Sequence, residues 1–183
     1  RDYYASRGLG DVYKRQDYLL LQNEINMLDY IIDQAYEKKM KIVMNPSPFD
    51  DKLNTCDLGK IYLFLLNEIE SEQITGYKDK DQILDAMAEK FPNARFVLTL
   101  GSDGAVYYDG KEKIFQDIFK VKALDTTAAG DTFTGYFIAA VIEGRSVQEA
   151  LRMAAKASSI AVSRPGATPS IPAMDEVKRE LGM

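Results

Sequence analysis

The sequence predicts an α/β fold, a mainly parallel sheet with helices and an antiparallel edge. Three observations predict it. Short apolar runs alternate with helix-length amphipathic stretches through the first half of the chain, an order that implies right-handed βαβ crossovers. The runs then become short, closely spaced and hairpin-like, which reads as antiparallel edge strands. Polar and glycine-rich segments gather where the strands end, and ligands of open α/β sheets bind beyond the carboxyl ends of strands.

The elements follow in order. Residues 1–16, "RDYYASRGLGDVYKRQ", carry no helical or strand period and resemble translated adaptor sequence, so residues 17–183 hold the fold. "DYLLLQ" suits a buried strand. Asn26 to Lys39 spaces Met27, Tyr30, Ile31 and Ala35 as a helix does, with Asn26 placed to cap it. "KIVMN" is a second strand, broken by Pro46 and Pro48, and "IYLFLLNE" a third. "IESEQITG" is a short helix ended by Gly76. Asp79 to Phe91 is amphipathic, with Ile83, Leu84, Met87 and Phe91 on one face. "RFVLTLG" is the fourth strand; "GAVYYDG", "KEKIFQ" and "IFKVKAL" form the antiparallel edge. Helices follow over about Gly130 to Glu143, Ser146 to Ser163 and Ala173 to Leu181.

Composition narrows the chemistry. The chain has 183 residues, 46% hydrophobic and 28% charged, within the range of globular proteins. Its longest apolar run, "YFIAAVI", is far short of the roughly 20 residues that span a bilayer. A net charge of −5 gives no basic footprint for nucleic acid. Cys56 is the only cysteine, which fits a reducing compartment, the cytoplasm, and has no activating neighbour in sequence. Histidine is absent. That removes Ser-His-Asp and Cys-His catalysis and His-ligated zinc, leaving acid–base work to Asp, Glu, Lys, Tyr or the lone Cys.

One stretch, "LDTTAAGDTFTGYFIAAVIEG", stands out. The opening amides of a helix lack internal partners and carry partial positive charge. Small residues at Ala128, Ala129 and Gly130 let an anion approach those amides closely. A carboxylate among them, Asp131, suits a group that contacts a nucleophile attacking phosphorus. The plain alternative is an acid that only caps the helix and favours its dipole.

"DTTAAGDTFTG" resembles the signature of the ribokinase family of sugar kinases. Further segments occur in the family's order: "LLQNE", "NPSP", "NEIESEQITG", "TLGSDGA" and "SRPGATPSIP". The resemblance runs from about Asp17 to the C-terminus and covers the C-terminal part of family chains. It implies a ribokinase-like three-layer α/β/α fold, incomplete at the N-terminus, without the lid sheet and most of the sugar-gripping residues. It implies ATP-dependent phosphorylation of a sugar's primary hydroxyl. The "AAGD" form points to ribose, and fructokinases, ketodeoxygluconate kinases and nucleoside kinases are the nearby alternatives. A truncated nucleotide-binding module without catalysis is the alternative of another class.

Residue by residue, the resemblance implies that Asp131 is the base and that Ala128, Ala129 and Gly130 supply the anion hole. Glu24 would accept a hydrogen bond from the sugar; a solvated acid at a helix start is the alternative. Asn67 and Glu70 match an Asn-x-x-Glu element of the magnesium–phosphate network, although Glu70 also suits the first turn of a helix. Thr99, Leu100, Gly101, Ser102, Asp103 and Gly104 would line the nucleotide site, although a turn between strands needs the same residues. Asp125, Thr127, Ala161, Arg164, Gly166 and Ser170 match the family's monovalent-cation site, K⁺, several through backbone carbonyls. A loop that merely ends a helix is the alternative there. Tyr107, Tyr108 and Phe133 read as packing groups. Thr134 stands where the family more often carries Asn. Partners implied are the sugar and ATP, with a homodimer allowed, and neither nucleic acid nor membrane.

Overall fold

The computed structural model describes residues 17–183; the adaptor-like segment 1–16 lies outside them. Strands are β1 (Tyr18–Gln22), β2 (Lys41–Asn45), β3 (Leu63–Asn67), β4 (Arg95–Thr99), β5 (Ala105–Tyr108) and β6 (Lys113–Gln116). They share one sheet in the order β1-β2-β3-β4-β5-β6. β1–β2 and β2–β3 pair in parallel, with Tyr18 opposite Lys41 and Val43 opposite Leu63. β5–β6 pair antiparallel, with Ala105 opposite Gln116. Helices are α1 (Leu28–Glu37), α2 (Glu68–Thr75), α3 (Lys80–Lys90), α4 (Ala129–Ile142), α5 (Val147–Val162) and α6 (Met174–Leu181). Sequence order is therefore sheet order: α-helical crossovers link β1 to β2 and β3 to β4, two short 3-10 helices, Asp51–Thr55 and Leu58–Lys60, link β2 to β3, and tight turns link β4 to β5 and β5 to β6.

The chain divides into two compact units, up to Phe96 and from Val97 onward. The first unit buries continuous apolar strands. Ile42, Val43 and Met44 are fully enclosed, the pattern of a parallel strand covered on both faces. Phe64 stacks on Phe96 at 5.9 Å and meets Phe91 at 5.0 Å. Losing one such ring costs about 3–5 kcal/mol. In the second unit α4 is apolar almost all round, with Phe133, Phe137, Ile138 and Ala140 buried, as befits a core helix. α5 opens on a capping box, Ser146 Oγ accepting from Glu149 N–H at 3.3 Å and Glu149 Oε2 from Ser146 N–H at 3.0 Å.

Two expectations are corrected. Asn26 does not cap α1: Met27, in the left-handed region at φ 60°, precedes the first turn. The buried face is Leu28, Ile32 and Ala35: of the four residues the periodicity named, Ala35 is buried as expected and Ile31 half-buried, while Met27 and Tyr30 are exposed. "IFKVKAL" forms no strand. Residues Ile118, Phe119, Lys120 and Val121 in succession line a cavity wall instead, and Leu124 is exposed, so the segment presents no alternating buried face.

Candidate active site

The second unit contains a cavity of about 720 Å³, within the ~300–1,000 Å³ range of small-molecule sites. One wall is the β4–β5 turn, with Thr99, Gly101, Ser102 and Gly104. Another is the start of α4, with Ala129, Gly130 and Phe133. The segment after β6 adds Ile118, Phe119, Val121 and Lys120, the wall's cation among the described residues. α5 contributes Ala155, Ser158, Ser159 and Val162, a small-residue stripe at helical spacing. The sequence carries that stripe, but small residues at helical spacing point equally to close helix packing.

Local backbone explains the shape of the α4 mouth. Ala128 takes φ 60° and ψ 13°, a left-handed conformation that costs a non-glycine residue about 1–2 kcal/mol. The α-type hydrogen bonds begin only with Thr132 N–H donating to Ala128 O at 2.9 Å. The preceding amides stand ahead of the ladder, as at any helix start, but Ala129 N–H turns back to Thr126 O at 3.2 Å. Of the three expected anion-hole residues, Gly130 is therefore the best placed. It faces open space, since a Cβ there would meet nothing within 4 Å. Asp131 lies exposed in the same first turn, beside the cavity wall and not on it. Ser158 Oγ donates to Ala129 O at 3.1 Å and ties α5 to this turn.

The expected nucleotide segment splits by role. Thr99, Gly101, Ser102 and Gly104 reach the wall; Leu100 is buried and Asp103 exposed. Leu100 N–H donates to Gly104 O and Asp103 N–H to Leu100 O, both at 2.8 Å, so a tight turn forms in any case. Phe133 packs on Phe137 at 6.5 Å and also lines the cavity. Tyr107 and Thr134 are buried.

Asp125 organises the other end of the Asp125–Asp131 turn. Its Oδ1 accepts from Thr127 N–H at 2.9 Å and its Oδ2 from Gly166 N–H at 2.8 Å. Hydrogen bonds from the Thr127 side chain, then from the Thr127 and Gly166 amides, hold its pKa down to about 2. Arg164 pairs with both carboxylate oxygens of Glu176, and Arg164 lowers the Glu176 pKa. Ser170 is buried and donates to Ala167 O at 2.6 Å. Ala161 and Arg164 lie at the carboxyl end of α5, where Ala161 O accepts from Arg164 N–H at 3.0 Å and Val162 O from Leu124 N–H at 2.8 Å and Asp125 N–H at 3.2 Å. Among the described residues no three Asp, Glu or Cys side chains converge on a metal-sized site.

In the first unit, Asn67 and Glu70 are joined directly. Asn67 Oδ1 accepts from Glu70 N–H at 3.0 Å, while Glu70 accepts from Asn67 N–H at 2.9 Å and from Asn67 Nδ2 at 3.0 Å. This is a capping box that starts α2, a role the sequence reading did not give Asn67. Glu70 is buried in it. Glu24 is exposed in the turn after β1. Its neighbour Asn23 pins that turn, Nδ2 donating to Pro48 O at 2.6 Å and Asp50 Oδ1 at 3.0 Å.

The pattern that defines the pfkB family carbohydrate kinases matches residues 12–174. The chain belongs to the pfkB family. Among curated relatives, the pfkB-family chain is 36% identical to the ribokinase of Haemophilus influenzae over 172 residues, 88% of this chain and 55% of that one. It is 35% identical to the ribokinase of Schizosaccharomyces pombe, over 87% and 53%. Among solved structures, Arabidopsis thaliana ribokinase complexed with ribose and ATP matches at TM-score 0.82 and 32% identity, over 97% and 59%. Thermotoga maritima ribokinase matches at TM-score 0.79 and 33% identity, over 91% and 57%. The chain spans a little over half the length of these relatives. The fold is the ribokinase fold, and no helix among the described residues is long and apolar enough to cross a membrane.

Proposed function

We propose that this chain carries the base and the nucleotide-binding half of an ATP-dependent sugar kinase that phosphorylates the primary hydroxyl of ribose. The observation that carries the reading is the α4 mouth: Asp131 and Gly130 share one turn ahead of the helical ladder, beside a cavity of about 720 Å³. ATP lies in that cavity, its base against the apolar wall of Phe119, Val121 and Val162 and its phosphates toward Gly130. Asp131 takes the proton of the sugar hydroxyl as that oxygen attacks the γ-phosphorus in line and the bond to the β,γ-bridging oxygen breaks. Amides ahead of Thr132 hold charge on the transferring group, and in a loose transition state such positioning supplies most of the rate. Glu24 accepts from a sugar hydroxyl.

Asn67 and Glu70 would hold Mg²⁺ through water, which supplies charge neutralisation at the phosphates. Asp125, Thr127, Ala161, Arg164, Gly166 and Ser170 would hold K⁺, a fixed charge behind the α4 turn. The lone cysteine and the small-molecule substrates fit a cytoplasmic enzyme, and a homodimer is compatible with this reading.

The test is ADP release across a panel of ribose, fructose, ketodeoxygluconate and nucleosides, with Asp131→Asn alongside. Expected is preference for ribose and a loss of at least roughly 10²-fold in the variant, with ATP binding by calorimetry retained. Near-normal turnover by Asp131→Asn sinks the base assignment. Preference for fructose or a nucleoside overturns ribose, and ATP binding without any phosphorylated product favours a non-catalytic nucleotide module.

A further inference from the structure

The amino-terminal ends of β1 to β4 carry a cluster that the kinase reading leaves unused. Tyr18 opens β1, Lys41 opens β2, Tyr62 immediately precedes β3 and Arg95 opens β4. Their backbones are tied together: Lys41 N–H donates to Asp17 O at 2.8 Å, Tyr62 N–H to Ile42 O at 2.9 Å and Arg95 N–H to Tyr62 O at 3.0 Å. Lys41 Nζ donates to Tyr18 Oη at 3.2 Å and lies 4.9 Å from the Tyr62 ring centre. The Arg95 guanidinium carbon lies 4.5 Å from the same ring centre. The Tyr18 and Tyr62 rings meet edge to face at 6.2 Å.

The imbalance is chemical. All four residues are half-buried, and among the described residues neither cation has a carboxylate within ion-pair distance. A half-buried charge is costly without a counter-charge, and ring faces replace one only in part. Donors outnumber acceptors among these side chains. Lys41 spends one of its three N–H groups on Tyr18, the Tyr18 hydroxyl keeps its own proton to donate, and Arg95 offers a planar fork. Two positive charges with N–H and O–H donors to spare and no carboxylate of the described residues in ion-pair distance match an oxyanion. The cluster sits at the end of the strands opposite to Glu24 and Asn67, roughly 13–16 Å away along five-residue strands, so it is a second site.

We propose that this end of the sheet binds a phosphate group, held by Lys41, Arg95 and the Tyr18 hydroxyl over the Tyr62 ring. The ligand is either free phosphate or a phosphomonoester whose planar group stacks on the tyrosines. Nothing in it depends on the kinase reading, so either can fail alone.

The test is NMR titration of the protein with inorganic phosphate and, separately, phenyl phosphate, followed at the Tyr18 and Tyr62 rings. The Ser102 and Gly130 amides report any phosphate in the cavity independently. Saturable ring shifts are expected, with affinity roughly tenfold weaker or worse in Lys41→Met/Arg95→Met, which keeps the aliphatic stems on the rings. Shifts with both ligands identify free phosphate as sufficient; shifts with phenyl phosphate alone identify the ester. Ring resonances unmoved by either ligand, or moved equally in the double variant, overturn the proposal. If the double variant does not fold, the wild-type ring shifts decide.

Discussion

Asp125 and Gly166, forty-one residues apart, are joined by a 2.8 Å hydrogen bond from the Gly166 amide to the Asp125 carboxylate. The bond fastens the segment before α4 to the loop after α5, which Arg164 and Glu176 anchor from the other side. Asp125 has a folded pKa of about 2 against an ordinary 3.8. A depressed carboxylate pKa contributes stability that is full above the unfolded value and is lost as pH falls through the folded one. Asp125→Asn should therefore melt lower than wild type at pH 7, because Asn offers one acceptor where two amides point. The gap should narrow between about pH 4 and pH 2 as the wild-type carboxylate protonates. Thermal melts at several pH values check this; a gap independent of pH would show that the clamp is not ionic.

Gly130 separates fold from function. Its Cβ position is open and its backbone helical, so Gly130→Ala should raise stability by about 0.5–1 kcal/mol. A larger side chain there would stand where a phosphate must approach the amides. Gly130→Val should keep the fold by circular dichroism and lose most ATP affinity, read by calorimetry. Unchanged ATP binding in Gly130→Val would move the phosphate site elsewhere.

Most elements were legible because their signals are local. Strands such as "KIVMN" are apolar runs of strand length, and Gly76 ends α2 in the left-handed region as expected. What failed was a boundary and a destination. Met27 takes the left-handed turn before α1 and lies outside its buried face, which periodicity alone cannot fix. "IFKVKAL" alternates like a strand, yet Ile118 to Val121 line a cavity in succession, and a local pattern does not say which surface it faces. Of the candidate site, the cavity wall was legible in Ala129 and Gly130 of the α4 mouth and in Thr99, Gly101, Ser102 and Gly104 of the β4–β5 turn. The α5 stripe was hidden because small residues on a helix point equally to close packing.

Asn67 has a structural role that any ligand role must be measured against. Asn67→Ala should cost about 1 kcal/mol through loss of the cap. Asn67→Ser restores an acceptor for Glu70 N–H but not the Nδ2 donor to Glu70. If Asn67 only caps, Ser restores both melting temperature and ADP release. If the Asn67–Glu70 pair also serves the phosphates, as proposed, Ser restores melting temperature and leaves turnover well below wild type. Paired melts and ADP-release assays on the two variants separate these outcomes.

Gly104 and Gly101 both line the cavity, and their substitutions should differ sharply. Gly101 has φ +53° and a Cβ there would meet nothing within 4 Å, so Gly101→Ala costs only the left-handed conformation, about 1–2 kcal/mol. Gly104 has φ +94°, and a Cβ there would lie 2.3 Å from Gln116 O and 3.1 Å from Phe115 Cζ. Gln116 is paired in β6 opposite Ala105, so its carbonyl cannot retreat without opening the β5–β6 ladder. Gly104→Ala should therefore cost more than Gly101→Ala, about 2–4 kcal/mol. The edge hairpin should open with it, seen as faster amide exchange at Val106 and Phe115. Equal melting temperatures for the two variants would mean that the hairpin accommodates the methyl group, and that Gly104 is there for the ligand rather than for the sheet.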